Sequence, residues 1–128
     1  EPKWSEKEIE FDVDMMDVEY LGNENLICHV WDNLLSNAIK FSPCGGTIYI
    51  RMMPEGEKIR FSIENEGPQI SEYSMKHIFD KFYQGDSSHK QEGNGLGLAL
   101  VKQILNLCMG TVSVENIPGS GCRFTVIL

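Results

Sequence analysis

Two amides and an ammonium fall on one line of a helix-length segment: Asn33, Asn37 and Lys40. At about 100° per residue they project within roughly 60° of one another, clear of an apolar stripe at Ile27, Val30, Trp31, Leu34 and Ala38. Amide oxygens are hard ligands that suit Mg²⁺, and lysine meets a phosphate as a point charge. For these three residues alone, a solvated polar face is the plainer reading. A second group is Gly93-Asn94-Gly95-Leu96-Gly97-Leu98-Ala99, where alternate glycines run into an apolar segment. Glycine lets the backbone approach an anion, and a helix start offers unpaired N–H groups, so this is a candidate phosphate cradle. It lacks the G-K-[ST] of a Walker loop, and no strand feeds it as in a dinucleotide fingerprint. Third comes Asn65-Glu66-Gly67-Pro68-Gln69-Ile70 after an apolar alternating run. An Asx side chain there can hydrogen-bond a flat heterocycle, although such residues usually make turns. The aromatics of Ile78-Phe79-Asp80-Lys81-Phe82-Tyr83-Gln84 read as core first, with Tyr83 beside a polar loop.

Those residues need elements to hold them. Ile9, Phe11 and Val13 alternate with Glu10, Asp12 and Asp14, which predicts an edge strand. A turn at Gly22 to Asn25 leads into the helix with the apolar stripe, and Ser42-Pro43-Cys44-Gly45-Gly46 ends it. Thr47 to Met53 and Lys58 to Glu64 predict an antiparallel hairpin around Pro54-Glu55-Gly56-Glu57, with Ile59, Phe61 and Ile63 facing a core. Ser71 is placed to cap a short helix carrying Tyr73, Ile78 and Phe79 inward. Gly85 to Gly93 is polar and predicts a mobile loop. Leu96 to Met109 predicts a helix ending at Gly110, and Thr111 to Glu115 pairs with Cys122 to Leu128 around Asn116 to Gly121. Strand pairs on short turns with about three helices predict a two-layer α+β sandwich.

The 128 residues hold one domain, 41% hydrophobic and 23% charged, as in an ordinary globular protein. The formal net charge of −8 argues against nonspecific nucleic-acid binding but not against a phosphate ligand held by local amides and lysine. Cys28, Cys44, Cys108 and Cys122 have neither the spacing of a zinc site nor the density of a disulfide framework. Residues 1–8 are polar and read as a residual linker, with residues 9–128 as the domain.

The order of these groups along the chain is specific. Asn33-Leu34-Leu35-Ser36-Asn37-Ala38-Ile39-Lys40-Phe41-Ser42 closely resembles the N box of sensor histidine kinases. Asn65-Glu66-Gly67-Pro68 resembles their first glycine box, Phe79-Asp80-Lys81-Phe82-Tyr83 their F box, and Gly93 to Leu98 their second glycine box. Gly119-Ser120-Gly121-Cys122-Arg123-Phe124 resembles the closing glycine-rich turn and strand. The resemblance runs from about Ile9 to Leu128. It implies the catalytic, ATP-binding domain of a two-component histidine kinase, with the Bergerat (GHKL) sandwich: a mixed, mostly antiparallel sheet covered on one face by about three helices.

By that resemblance, Asn37 holds Mg²⁺ with Asn33 beside it, Lys40 contacts phosphate, and Asn33 and Lys40 form the catalytic pair. The nucleotide is also expected to touch Asn65, Gly67 and Ile70 at the base, and Tyr83 and Lys90 around the loop. A lid from Gly85 to Leu98 would wrap the phosphates through Gly93, Asn94, Gly95, Leu96, Gly97 and Leu98. ATP and Mg²⁺ are the implied cofactors. The γ-phosphate would pass to a histidine on a separate dimerisation and phosphoacceptor domain, then to a response regulator. None of His29, His77 and His89 sits in a phosphoacceptor box, so the chain is read as an excised catalytic half, monomeric and not autophosphorylating. His29 projects near the Asn/Lys line, where a histidine satisfied by a neighbour is the plainer reading. The domain is expected in the cytoplasm, without direct membrane contact, in a protein anchored in the bacterial plasma membrane.

This sequence departs from the family's pattern at four positions. Asn65 stands where aspartate usually reads the adenine amine; an amide oxygen accepts the same bond without the charge. On that basis Asn65→Asp is expected to preserve or tighten ATP binding, while the amide's donors would relax the choice between adenine and guanine. Gln69 replaces a glycine, Cys122 a frequent threonine, and Gln84 a frequent arginine whose work would fall to Lys81, His89 or Lys90. Two further readings share the fold: an anti-sigma-factor-type serine kinase, and a pseudokinase module motivated by Asn65 and Gln84. The F box and the acidic, linker-like start favour the sensor kinase. Asn33 stands where gyrase-type ATPases carry a glutamate that activates water.

Overall fold

A computed structural model of the protein describes residues 8–16, 24–80, 97–119 and 121–128. The chain runs β1 (Glu10–Met15), α1 (Glu24–Phe41), β2 (Thr47–Glu55), β3 (Lys58–Asn65), α2 (Glu72–His77), α3 (Gly97–Leu107), β4 (Thr111–Asn116) and β5 (Cys122–Ile127). The strands form one sheet in the order β1-β2-β3-β5-β4. Only β1 and β2 are parallel, because α1 carries the chain back across the sheet between them; the other pairs are antiparallel. This is the expected mixed α+β sandwich.

One face of the sheet supplies the core. Ile48, Phe61, Ile63, Phe124 and Val126 cluster with Val30, Leu34 and Ala38 of α1 and Val101, Ile104 and Leu105 of α3, and Ile27 of α1 is buried as well. Trp31 packs on Phe61 with ring centroids 4.2 Å apart, and Phe79 meets Phe124 edge-on at 6.1 Å. The α1 stripe read from helical spacing is thus the stripe that is buried. On the opposite face Arg123 bridges Glu64 and Glu115 at 3.2 and 2.8 Å, a charged row open to solvent.

Several boundaries differ from the sequence reading. Asn25 lies inside α1, and Gly22 and Asn23 are outside the described residues. The first hairpin is tighter than expected, since Pro54 and Glu55 pair with Ile59 and Lys58, leaving Gly56 and Glu57 as the turn. Gly56 takes φ +63 at the first central position, which a hairpin of this length favours. Pro54 is tolerated because β1 ends opposite Met52, so β2 is an edge there and needs no further N–H donor. Tyr73 does not face inward: it is 62% exposed and stacks on His77 at 4.5 Å, whereas Ile78 and Phe79 do join the core. Ser71 caps α2 as expected, accepting from the Ser74 amide at 3.1 Å.

The last helix runs Gly97–Leu107, and Leu96 is outside the described residues. Its left-handed terminal residue is Met109 (φ +62), not Gly110. The Gly110 amide closes the helix on the Leu105 carbonyl at 2.7 Å. Gly110 answers a different need, because a Cβ there would lie 2.8 Å from the Ile127 carbonyl of β5. The expected loop from Gly85 to Gly93 also lies outside the described residues.

Candidate functional site

Helix α1 presents Asn33, Asn37 and Lys40 on a partly buried line, between the buried stripe and the exposed Asp32 and Ser36. Asn33 Nδ2 donates to the His29 carbonyl one turn back at 2.7 Å. With its nitrogen tied to its own helix, the oxygen is turned outward. It meets the first residue of α3: a Cβ on Gly97 would stand 3.0 Å from Asn33 Oδ1. Glycine therefore lets the start of α3 come up against the α1 line. That start carries no acidic residue in its first turn, so no carboxylate within that turn opposes the positive end of the helix dipole beside the α1 line. Lys40 lies in the last turn of α1, with Nζ 5.4 Å from the Phe41 ring centroid.

The first glycine box adjoins the C-terminal end of α1. Gly67 has φ +133, and a Cβ there would be 2.5 Å from the Phe41 carbonyl, so only glycine permits this approach. Asn65, the last residue of β3, is 1% exposed. Its Nδ2 donates to the Glu66 carbonyl at 2.8 Å, and its Oδ1 faces the Cys122 thiol at 3.7 Å. Burial pushes the Cys122 thiol up to about 11, with the Glu64 carboxylate adding to the shift. At neutral pH it is therefore a protonated, weak S–H donor to Asn65. Gly121 keeps the chain close: a Cβ there would collide with the Asn65 carbonyl.

Ile70, which belongs to no strand, is held by a side chain instead of a backbone ladder. Asn116 Oδ1 accepts from the Ile70 amide and Asn116 Nδ2 donates to the Ile70 carbonyl, both at 2.8 Å. Gln69 Nε2 donates to the Ile117 carbonyl at 2.7 Å. The departure from glycine at Gln69 therefore has a structural job, tying the loop to the β4–β5 turn.

Residues 22–128 match the family described as histidine kinase-, DNA gyrase B- and HSP90-like ATPase. The chain belongs to this family. Among its relatives, the heme sensor protein HssS of Staphylococcus saprophyticus is 34% identical over 122 residues, covering 95% of this chain but 26% of that protein. The chain thus spans about a quarter of that relative's length. The mycobacterial sensor histidine kinase MprB has the same fold with a TM-score of 0.88 at 26% identity, over 98% of this chain and 87% of that one. Full-length ShkA, solved in complex with AMPPNP, gives a TM-score of 0.83 at 27% identity, over 98% of this chain and 26% of that one. The chain is a histidine-kinase-type, ATP-binding GHKL domain of the sensor kinases.

Of the expected site residues in this ATPase domain, the structure brings Asn33 to Gly97, and Gly67 to the end of the helix that carries Lys40. Asn37 lies between Asn33 and Lys40 on the same partly buried line, and Leu98 packs on the core. Tyr83, Lys90, Gly93, Asn94, Gly95 and Leu96 are outside the described residues. His29 is exposed instead of tucked beside a neighbour, and His77 Nδ1 lies 2.8 Å from Asp80 Oδ2. His89 is outside the described residues. All four cysteines are free. Sequence reasoning missed Asn116, which it left in a turn. It also treated Asn65 and Cys122 as separate departures, although they face each other. The only sequence signal was an asparagine ending a strand, and its partner is 46 positions back.

Proposed function

We propose that this domain binds Mg·ATP between α1, the first glycine box and the start of α3, and transfers the γ-phosphate to a histidine on a separate dimerisation and phosphoacceptor domain. The observation that carries the reading is the approach of Asn33 Oδ1 to Gly97, which joins the N box to the end of the second glycine box. The residues fit the ligand: an outward amide oxygen, a helix start free of first-turn carboxylates, and a glycine approach that a Cβ would fill.

Asn37, with Asn33 beside it, supplies oxygen ligands of the kind Mg²⁺ accepts. When bound, Mg²⁺ offsets charge on the β- and γ-phosphates. Lys40 adds a point charge, and the amides of Gly97 and Leu98 add donors at the helix start. Asn65 accepts from the exocyclic amine of adenine through Oδ1, and Ile70 lies along the base. Tyr83, Lys90 and Gly93 to Leu96 complete the proposed contacts as a lid. An external histidine nitrogen then attacks in line, forming the N–P bond as the bond to the bridging oxygen breaks and ADP leaves. Catalysis is positioning and charge neutralisation, with no nucleophile from this chain.

The phosphohistidine would in turn serve a response regulator. The domain works in the cytoplasm as part of a membrane-anchored kinase; among the described residues, no helix is long and apolar enough to cross a membrane. Incubating the chain with [γ-³²P]ATP, with and without a dimerisation domain bearing the acceptor histidine, tests this. Label is expected only on the added domain. Stable label on this chain alone, or none on the acceptor despite ATP binding, would contradict the reading.

A further inference from the structure

Asn65, Cys122 and Asn116 form one lateral row. The register pairs Asn65 with Cys122 across β3 and β5, and Cys122 with Asn116 across β5 and β4. Directly paired residues share a face, so all three project toward the helices. The small thiol in the middle lies between two amides with different bonds. Asn65 is fixed by the Glu66 carbonyl, and Asn116 takes both main-chain groups of Ile70 at 2.8 Å. Glu66 and Ile70 belong to the same short loop, which Gln69 also ties to Ile117.

We propose that Asn116 is a positioning residue that sets base selectivity, by holding the loop whose Glu66 carbonyl fixes the Asn65 amide with its oxygen as the acceptor. The inference rests on the nucleotide reading above. An asparagine amide can turn over, presenting nitrogen where oxygen stood. A donor in that place suits a carbonyl at the six-position of a purine, and an acceptor suits an amine. The Glu66 carbonyl decides between the two, since it can only accept and so keeps Nδ2 on its own side. That control lasts only while the loop stays in place. Asn116 supplies the anchor: its two bonds mimic a backbone ladder for a segment that belongs to no strand. Without them the loop keeps only the Gln69 tie to Ile117, the Glu66 carbonyl is held less firmly, and the weak Cys122 S–H is left as the other guide to the Asn65 amide.

The test measures the affinities of ATP, ITP and inorganic tripolyphosphate for the unmutated chain, Asn116→Ala and Asn116→Asp. ITP carries a carbonyl oxygen where ATP carries the amine. The unmutated chain is expected to prefer ATP, and Asn116→Ala to reduce that preference about tenfold while tripolyphosphate changes by less than about twofold. Asn116→Asp keeps the acceptor for the Ile70 amide and loses the donor to its carbonyl, so its preference should fall between the two. It also serves if the alanine variant does not fold. An unchanged ATP-to-ITP ratio in the variants, even with a lower melting temperature, would make Asn116 merely structural and overturn the proposal. Equal binding of ATP and ITP by the unmutated chain would overturn it too. No ATP binding by that chain would remove the nucleotide reading itself.

Discussion

At the base end of the proposed cleft, the side chains that matter are tied to distant parts of the chain. Asn116 reaches Ile70, Gln69 reaches Ile117, and Cys122 faces Asn65, over separations of 46 to 57 residues. At the phosphate end two side chains have local contacts. Asn33 is held by its own helix four residues back, and Lys40 stands near the ring of its neighbour Phe41. The first arrangement is part of the tertiary fold and is set before any ligand arrives. The second is a property of one helix, brought against the start of another. A planar base needs a shaped, buried edge, whereas phosphates and a metal need charge and hard oxygen ligands that can adjust. The two ends should therefore fail differently when they are mutated.

The largest effect is expected at the base end. Gly121→Ala would press a methyl group into the Asn65 carbonyl and the Glu66 backbone, which cannot rotate aside. Overpacking against backbone should cost about 3 kcal/mol of folding stability. Denaturant unfolding without nucleotide measures it, and a loss under about 1 kcal/mol would show that this end is not rigid.

Alkaline titration gives the next effect. The Cys122 thiol is raised from 9.0 to about 11 in the folded state, so folding favours its protonated form. Its contribution is fully present below about pH 9 and is lost as pH rises toward about 11, because the unfolded chain gives up the proton first. The fall should be on the order of 2 kcal/mol, and Cys122→Ala should remove that pH dependence. An unchanged alkaline slope in the variant would place the titration elsewhere.

Asn65→Asp sharpens the comparison by its sign. Charge alone predicts a gain of about 1 kcal/mol in ATP binding. The structure adds an opposing effect: Asp has no amide hydrogen for the Glu66 carbonyl, and two oxygens would face each other in a buried place. The unliganded variant should lose about 1–2 kcal/mol of stability, measured by denaturant unfolding. Full stability would mean that the Glu66 bond does not fix the side chain.

Lys40→Ala should give the smallest change. ATP affinity should fall by about 1 kcal/mol while adenosine affinity stays nearly constant, since the proposed partner of the lysine is phosphate. Parallel calorimetric titrations of both ligands check this. Equal weakening of the two would shift Lys40 to the base end.

The same contrast explains what the sequence disclosed. Helical spacing was enough to separate Asn33, Asn37 and Lys40 from the Ile27–Ala38 stripe, because both patterns lie within one element. Alternation likewise placed Ile59, Phe61 and Ile63 in the core. Asn116 was invisible for the opposite reason: a strand-end asparagine looks like a turn residue until β5 sets it in a row with Cys122 and Asn65. Tyr73 was misread because an aromatic on a short helix satisfies an inward pattern, while this one stacks on His77 at the surface. Gly110 looked like a helix stop, yet its lack of a side chain serves contact with β5.

The most direct test is a calorimetric titration of the unmutated chain and Asn37→Ala with ATP and with adenosine, each with and without Mg²⁺. With Mg²⁺ present, the unmutated chain is expected to bind ATP about 100-fold more tightly than Asn37→Ala does, or about 2.7 kcal/mol. Adenosine should bind both forms alike and ignore Mg²⁺. Failure of the unmutated chain to bind ATP, or ATP affinity indifferent to both Mg²⁺ and Asn37, would contradict the proposed Mg·ATP site.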